Sequence, residues 1–213
     1  MPVIVEPGPD LQVGADVSAI VRPAVCAFGG LVVREASAAL EAALAAMQGQ
    51  VRQCGPGAEE ALAAVRTMYR RVGLDPTKTR PSSEALLRRV RRGDRFPRVN
   101  TLVDVINWCS LEHQLPYGLY DLAAVEGAVM VRLGREGEEY AGIRKDVVHL
   151  GGRLTVADAR GPFGNPTADS WRTRVTTATT RALVVIFAPA ALPAAAANQA
   201  LGRTLSRVAE HCA

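Results

Sequence analysis

Apolar residues recur three and four positions apart in five segments of this sequence, and this spacing predicts five helices. The clearest segment is rich in Ala, Leu and Glu and is followed by Gly49, a residue suited to ending a helix. The predicted helices cover residues 35–48, 58–71, 83–92, 100–112 and 194–210. Ser82 or Ser83 is expected to cap the third helix, and Glu84 suits the positive end of its dipole.

Short runs of apolar and β-branched residues predict strands at 3–5, 25–33, 128–133, 147–150, 154–158 and 181–187. Gly29 and Gly30 interrupt the second run, where a bulge or bend is expected, and Pro189 ends the last run. A Gly-Pro-Gly sequence within 53–57 predicts the loop between the first two helices. Because the strands cluster between helices instead of alternating with them, the pattern favours an α+β domain.

The composition fits one globular domain, with 213 residues of which 48% are hydrophobic and 22% are charged. No apolar run approaches the roughly 18 residues that a membrane-spanning helix needs. The first residues lack the basic start and apolar stretch of a signal peptide. We therefore expect a cytoplasmic protein that does not associate with membranes.

Metal and cofactor chemistry have no support in the spacing of the residues. Cys26, Cys54, Cys109 and Cys212 form no C-x-x-C pair, and the three histidines lie far apart, so neither a metal nor a cofactor is predicted. The phosphate-binding, zinc-protease and hydrolase-elbow motifs are also missing. A dyad of Cys109 with His113 is conceivable at a spacing of four residues, although an apolar helix explains Cys109 equally well.

Positive charge is concentrated in one part of the chain. Residues 66–98 contain eleven Lys or Arg and three acids, a local net charge of +8 within an overall net charge of +4. This segregation fits either an RNA-binding surface or a solvated helix face. The candidate RNA-binding residues are Lys78, Arg80, Arg88, Arg89, Arg91 and Arg92. The loop 75–84 before the third helix is either part of an anion site or an ordinary turn with capping residues.

Two polar segments are candidates for a binding site. Asn100, Asp104 and Asn107 share one face of an otherwise apolar helix, where they either satisfy backbone groups or meet a ligand. The segment 158–173 is rich in Gly and Pro, which predicts a loop without regular structure. This loop is either a binding site or a surface crossover, and its polar residues include Thr167, Asp169, Ser170, Arg172 and Thr173.

The run RVNTLVDVINWCSLEHQLPYGLYDL at 98–122 resembles a stretch of the phenylalanyl-tRNA synthetase beta subunit. The similar positions are Asn100, Val103, Asp104, Asn107, Glu112, Pro116 and Asp121. The segments VMVRLGREGEE and LTVADARGP follow in the same order, so the resemblance covers about residues 98–189 and points to the B3/B4 editing domain. The segment DPTKTRPSSE further resembles free-standing B3/B4 proteins.

The resemblance implies an α+β, B3/B4-like fold with an antiparallel, barrel-like core flanked by helices. It implies a single domain over 1–213, with strands and helices at 1–74, the editing-like core at 75–190 and a closing helix at 191–213. In the synthetase this domain hydrolyses a mischarged tRNA in a pocket between helix and sheet, without a covalent nucleophile. Gly118 stands where the synthetase commonly carries His.

By resemblance, Asp169 and Thr167 are the candidate catalytic residues. The candidate substrate-binding residues are Asn100, Thr101, Asp104, Gly118, Ser170, Arg172 and Thr173. The leading hypothesis is a trans-acting deacylase whose partner is tRNA or aminoacyl-tRNA, with water attacking the ester and the polar loop stabilising the oxyanion. A binding module for RNA or an amino acid, and an enzyme of small-molecule amino-acid metabolism, remain alternatives.

Overall fold

The computed structural model describes residues 2–51, 56–144 and 147–213. Cys54 and most of the predicted loop at 53–57 lie outside these ranges, and Pro56 already begins a helix. The helices are α1 (Ala38–Val51), α2 (Pro56–Arg71), α3 (Ser82–Arg91), α4 (Thr101–His113) and α5 (Ala194–His211), with a short 3₁₀ helix at Leu122–Ala124. Across the described ranges, no helix has the length and apolar character to cross a membrane.

The strands form two four-stranded sheets and a small two-stranded sheet. They are β1 (Ile4–Glu6), β2 (Leu11–Val13), β3 (Val21–Gly29), β4 (Tyr117–Asp121), β5 (Val129–Leu133), β6 (Glu139–Tyr140), β7 (Val148–His149), β8 (Leu154–Asp158), β9 (Gly161–Gly164) and β10 (Ala182–Pro189). The first sheet has the order β1-β3-β10-β4, and all of its pairs are antiparallel. The second has the order β2-β5-β8-β9, in which β2 runs parallel to β5.

The α+β class with a mainly antiparallel core is confirmed, and both four-stranded sheets are open instead of closed into a barrel. The strand β10 is buried along its whole length between β3 and β4, so it forms the centre of the first sheet. Its sequence ALVVIFAP is the continuous apolar run expected of a strand covered on both faces.

Helix α4 is fixed by polar groups at both ends. Asn100 is its N-cap and accepts a hydrogen bond from the Val103 N–H at 2.9 Å. At the other end, Gln114 has a positive φ of 52°, and its buried side chain donates to the Leu111 carbonyl at 2.6 Å. Both ends are therefore satisfied locally, and α4 can lie with most of its surface in the core.

Three predictions at this level are wrong. The segment 158–173 contains the strand β9, because Phe163 is fully buried and packs edge-on against Tyr120 at 4.7 Å. The second predicted strand begins earlier, at Val21, and ends at Gly29 because Gly30 has a φ of 68°. Neither Ser82 nor Ser83 caps α3, whose N-cap is Pro81 with no side-chain cap bond.

Candidate functional site

A groove of about 780 Å³ opens between α3, α4, the strand β4 and the segment 165–169. Its apolar wall includes Leu86 of α3, Val103 and Ile106 of α4, and Leu119 of β4. The polar side chains of Asn107 and Ser110 lie on the same wall. A concave site with an apolar base and a few polar groups is the usual form of a ligand-binding pocket.

The groove is strongly basic. Of the described residues that line it, Asp169 is the one acid, and six are arginines: Arg80, Arg88, Arg89, Arg92, Arg144 and Arg174. Arg80 lies 3.5 Å from the buried carboxylate of Glu84, which also accepts two hydrogen bonds from Arg66 of α2. Glu84 therefore links α3 to α2 while Arg88 and Arg89 of α3 remain at the groove. The charge of this lining favours an anionic ligand.

The segment 165–169 is held in place by its own hydrogen bonds. The Asn165 side-chain oxygen accepts from the backbone N–H groups of Thr167 and Ala168 at 2.8 and 2.9 Å. The buried Tyr69 hydroxyl donates to the Pro166 carbonyl at 3.1 Å and lies 3.2 Å from the Thr167 hydroxyl. The backbone N–H groups of Thr167 and Ala168 already donate to Asn165. They are therefore not free to stabilise an oxyanion, which was the predicted role of this loop.

Asp169 lines the groove with a buried carboxylate. Burial raises its pKa from the ordinary value of 3.8 to about 7, although the nearby Tyr120 hydroxyl and Leu119 N–H act in the opposite direction. Within the part of the chain that the structure describes, neither Asp169 Oδ1 nor the Tyr120 hydroxyl has a hydrogen-bond partner at a suitable distance and angle. A buried polar oxygen without a partner is uncommon and is energetically unfavourable unless a ligand or water satisfies it.

The Tyr120 ring lies between two glycines. A Cβ at Gly118 or at Gly164 would lie 2.6 Å from Tyr120 Cζ, which is too close for any side chain. Tyr120 is fully buried, and burial raises the pKa of its hydroxyl well above the ordinary range. Gly118 was predicted to bind substrate. In the structure its lack of a side chain leaves the space that the Tyr120 ring occupies next to Asp169.

Asn100, Thr101 and Asp104 lie at the start of α4 and are not part of the groove wall. Asn100 caps the helix, Thr101 accepts a hydrogen bond from the Arg34 N–H at 3.0 Å, and Asp104 accepts one from the Val99 N–H at 2.9 Å. The prediction that Asn100 and Thr101 line the pocket is therefore not met, because their oxygens bind backbone groups. Asn107, one turn further along, is the member of the predicted polar stripe that reaches the groove.

Ser170, Arg172 and Thr173 also face away from the groove wall. The hydroxyls of Ser170 and Thr173 are buried and lie 3.0 Å apart. Arg172 binds both carboxylate oxygens of Asp158 at 3.0 Å and the Ala124 carbonyl at 2.7 Å. These three residues, which were predicted to bind substrate, connect the end of the loop to its neighbouring strands, whereas Thr167 and Asp169 lie in the groove.

The predicted RNA-binding residues are divided between different surfaces. Arg80, Arg88, Arg89 and Arg92 line the groove. Arg91 instead lines a small cleft between α2 and α3, and Lys78 lies in the exposed turn 75–79. In that turn Asp75 accepts hydrogen bonds from the Thr77 N–H and hydroxyl, which is the ordinary turn that was one of the two expectations.

The cysteines of the described ranges are buried and unpaired thiols: Cys26, Cys109 and Cys212. Burial raises the pKa of Cys26 to about 12 and also raises the pKa of Cys109. Burial lowers the pKa of His113, and its Nε2 has no hydrogen-bond partner among the described residues. The Cys109 sulfur accepts a hydrogen bond from Arg207 at 3.7 Å, and not from His113 Nε2. In these same ranges no group of three or more His, Cys, Asp or Glu side chains is arranged to hold a metal ion.

Comparison with known proteins gives three results. The sequence model of the B3/4 domain family matches residues 64–210. The phenylalanine–tRNA ligase beta subunit of Bartonella henselae is 34% identical over 64 residues, which are 30% of this chain and 8% of that protein. An N-terminal fragment of the Pyrococcus horikoshii phenylalanyl-tRNA synthetase beta subunit superposes with a TM-score of 0.51 at 13% identity, covering 95% of this chain and 48% of that chain. The structural likeness shows the fold alone, and the chain corresponds to less than half of either relative.

Proposed function

Because this chain belongs to the B3/4 domain family and is thereby related to phenylalanyl-tRNA synthetase beta subunits, we propose that its groove hydrolyses the ester of a mischarged aminoacyl-tRNA in trans. The observation that carries the proposal is the Asp169 carboxylate, which is buried and lies in a groove lined by six arginines, and whose Oδ1 has no hydrogen-bond partner among the described residues. An acid and a basic surface in one groove suit a reaction on an ester carried by a polyanion.

In this proposal Asp169 is the general base. With a pKa of about 7, a large fraction of the carboxylate is ionised at neutral pH and is still basic enough to accept a proton from water. The water oxygen attacks the carbonyl carbon of the ester as its proton passes to Asp169. The tetrahedral intermediate then collapses, the bond between the carbonyl carbon and the ribose oxygen breaks, and the ribose oxygen takes the proton from Asp169. Tyr120 is a positioning residue, since its hydroxyl lies beside the carboxylate at the base of the groove.

The oxyanion needs hydrogen-bond donors on the groove wall. The Asn107 amide and the Thr167 hydroxyl both line the groove, so we assign this role to them. Apolar residues of α3 and α4 would enclose the aminoacyl side chain, and Arg88, Arg89 and Arg92 would bind the phosphates of the RNA.

The direct test is release of amino acid from a panel of correctly and incorrectly charged tRNAs at low salt. We expect release above the spontaneous rate for at least one mischarged species, and a loss of about 100-fold or more in Asp169→Asn, since general bases contribute roughly that factor. Asp10→Asn is the matched control because Asp10 is exposed and is not among the residues that line the groove.

The same panel separates the alternatives. Binding of RNA without release from any species would replace the deacylase by a binding module. Turnover of free amino-acid esters that is unaffected by replacing Arg88, Arg89 and Arg92 would instead favour an enzyme of small-molecule metabolism. Unchanged release by Asp169→Asn would exclude Asp169 as the base.

A further inference from the structure

Trp171 and Arg174 form a stacked pair at the edge of the groove. The guanidinium carbon of Arg174 lies 3.6 Å from the centroid of the Trp171 ring, and Arg174 Nη1 donates to the Trp171 carbonyl at 2.8 Å. Arg174 lines the groove, and Trp171 follows Asp169 by two residues. Trp171 is 51% exposed, which is a large fraction for an indole ring.

The backbone holds this exposed ring in a fixed position. The Trp171 N–H donates to the Ala141 carbonyl at 2.7 Å, and the Ser170 N–H donates to the Phe163 carbonyl of β9 at 2.9 Å. Ser170 also pairs with Gly142 through an isolated β-bridge. Since neighbouring chain segments fix the backbone and Arg174 fixes the ring, little conformational entropy remains to be lost when a planar ligand stacks on it.

We infer that the Trp171–Arg174 pair is a stacking platform for an unpaired nucleobase of the RNA, next to the nucleotide that carries the ester. The occupant follows from charge and shape, because six arginines line the adjoining groove and an exposed indole offers a flat surface to any base. Arg174 covers one face of the indole, so the base stacks on the opposite face, and the positive charge of Arg174 can bind a flanking phosphate. The inference rests on the proposed function for the choice of RNA as ligand.

The test measures the affinity of a short single-stranded RNA that has adenosine next to its 3′-terminal nucleotide against the same RNA with an abasic nucleotide at that position. Fluorescence anisotropy of a 5′-labelled probe gives both affinities for the wild type, Trp171→Phe and Trp171→Ala. We expect the base to strengthen binding by about 5- to 150-fold in the wild type and most of this gain to remain in Trp171→Phe. In Trp171→Ala the two probes should bind equally.

A second measurement keeps both Trp171 and Arg174 and uses the fluorescence of Trp171. The chain has two tryptophans, and Trp108 stacks on Arg207 at 3.7 Å and is not among the residues that line the groove. In Trp108→Phe the remaining indole is Trp171, and its emission should be quenched by the adenosine probe more strongly than by the abasic probe. Trp171→Ala retains Trp108, whose emission reports whether that variant is folded.

Several outcomes would overturn the platform: equal affinity for the two probes in the wild type, an unchanged difference in Trp171→Ala, or no binding of either probe. The proposed hydrolysis fails separately. If binding depends on the base and on Trp171 but no charged tRNA is hydrolysed, the platform stands and the deacylase does not. If hydrolysis occurs while the base has no effect on affinity, the platform alone is excluded.

Discussion

The acidity of Asp169 couples the groove to the stability of the whole chain. Burial raises its folded-state pKa to about 7, whereas the unfolded value is the ordinary 3.8. Between pH 3.8 and about pH 7, the Asp169 carboxyl is protonated to a greater extent in the folded state than in the unfolded state. The stability contributed by the protonated carboxyl is therefore complete below pH 4 and is lost as pH rises towards 7.

Asp169→Asn should remove this pH dependence, because the amide has the shape of the protonated acid but does not ionise. We expect the variant to be more stable than the wild type at pH 8 by about 1–4 kcal/mol, and the two to differ little at pH 4. Urea unfolding at both pH values measures the difference. Parallel pH profiles for the two proteins would show that Asp169 is ionised freely in the folded state.

Gly118→Ala tests the space beside Tyr120. The added methyl would lie 2.6 Å from Tyr120 Cζ, so we expect a loss of about 1–3 kcal/mol in the free energy of unfolding. In a Tyr120→Leu background the same methyl should cost much less, and the coupling between the two sites follows from a double-mutant cycle. Equal costs in both backgrounds would mean that Tyr120 does not restrict residue 118.

The sequence indicated Asp169 and Thr167 because they are polar residues in a segment rich in Gly and Pro. It did not indicate Tyr120, which is in contact with Asp169 only after β4 and the loop after β9 are brought together. Asn100 and Thr101 were predicted from the sequence to bind substrate, and the structure shows their side-chain oxygens bonded to backbone N–H groups. A polar residue at the start of a helix has the same sequence pattern whether it binds backbone or ligand.

At the scale of elements, the five helices begin and end within three residues of their predicted bounds, because each has a sustained apolar periodicity. The strands β2, β4, β6 and β9 were missed. They have two to five residues each, and in β9 the sequence GPFG contains residues that ordinarily interrupt strands. Their pairing partners, and not their own composition, make them strands.

Helix α5 contains one residue that lowers its stability without a structural need. Gly202 is exposed in the interior of the helix, and a Cβ there would have no atom within 4 Å. Gly202→Ala should therefore raise the free energy of unfolding by about 0.5–1 kcal/mol. Thermal unfolding followed by circular dichroism measures it, and a lower melting temperature would mean that α5 is not a regular helix at this position.

At the scale of the whole molecule, the excess positive charge of residues 66–98 is directed to one groove by α3. The sequence predicted the concentration of positive charge but not how the arginines are distributed between two surfaces. Arg88, Arg89 and Arg92 line the groove, whereas Arg91 lines the cleft between α2 and α3. Which face of α3 meets the groove depends on how Leu87 and Val90 are buried in the core.

Replacing Arg88, Arg89 and Arg92 together by Gln should weaken RNA binding and flatten its salt dependence. Removing one arginine that binds a phosphate lowers the slope of log K against log salt by about 0.7 for a single strand, so we expect a decrease of up to about 2. Gln at the exposed Arg91, Arg135 and Arg160 is the control with the same change in net charge. Equal slopes for the two variants would indicate attraction by net charge and not by the groove.

The central position of β10 has a consequence for how the chain folds during synthesis. β10 pairs with β3 across about 160 residues, from Pro189 with Val21 to Ala182 with Phe28, and it is also the partner of β4. Until residue 189 has left the ribosome, β3 and β4 have no shared neighbour, and an apolar strand edge stays exposed. Such long-range pairing slows folding, and the nascent chain exposes an aggregation-prone strand edge until β10 inserts.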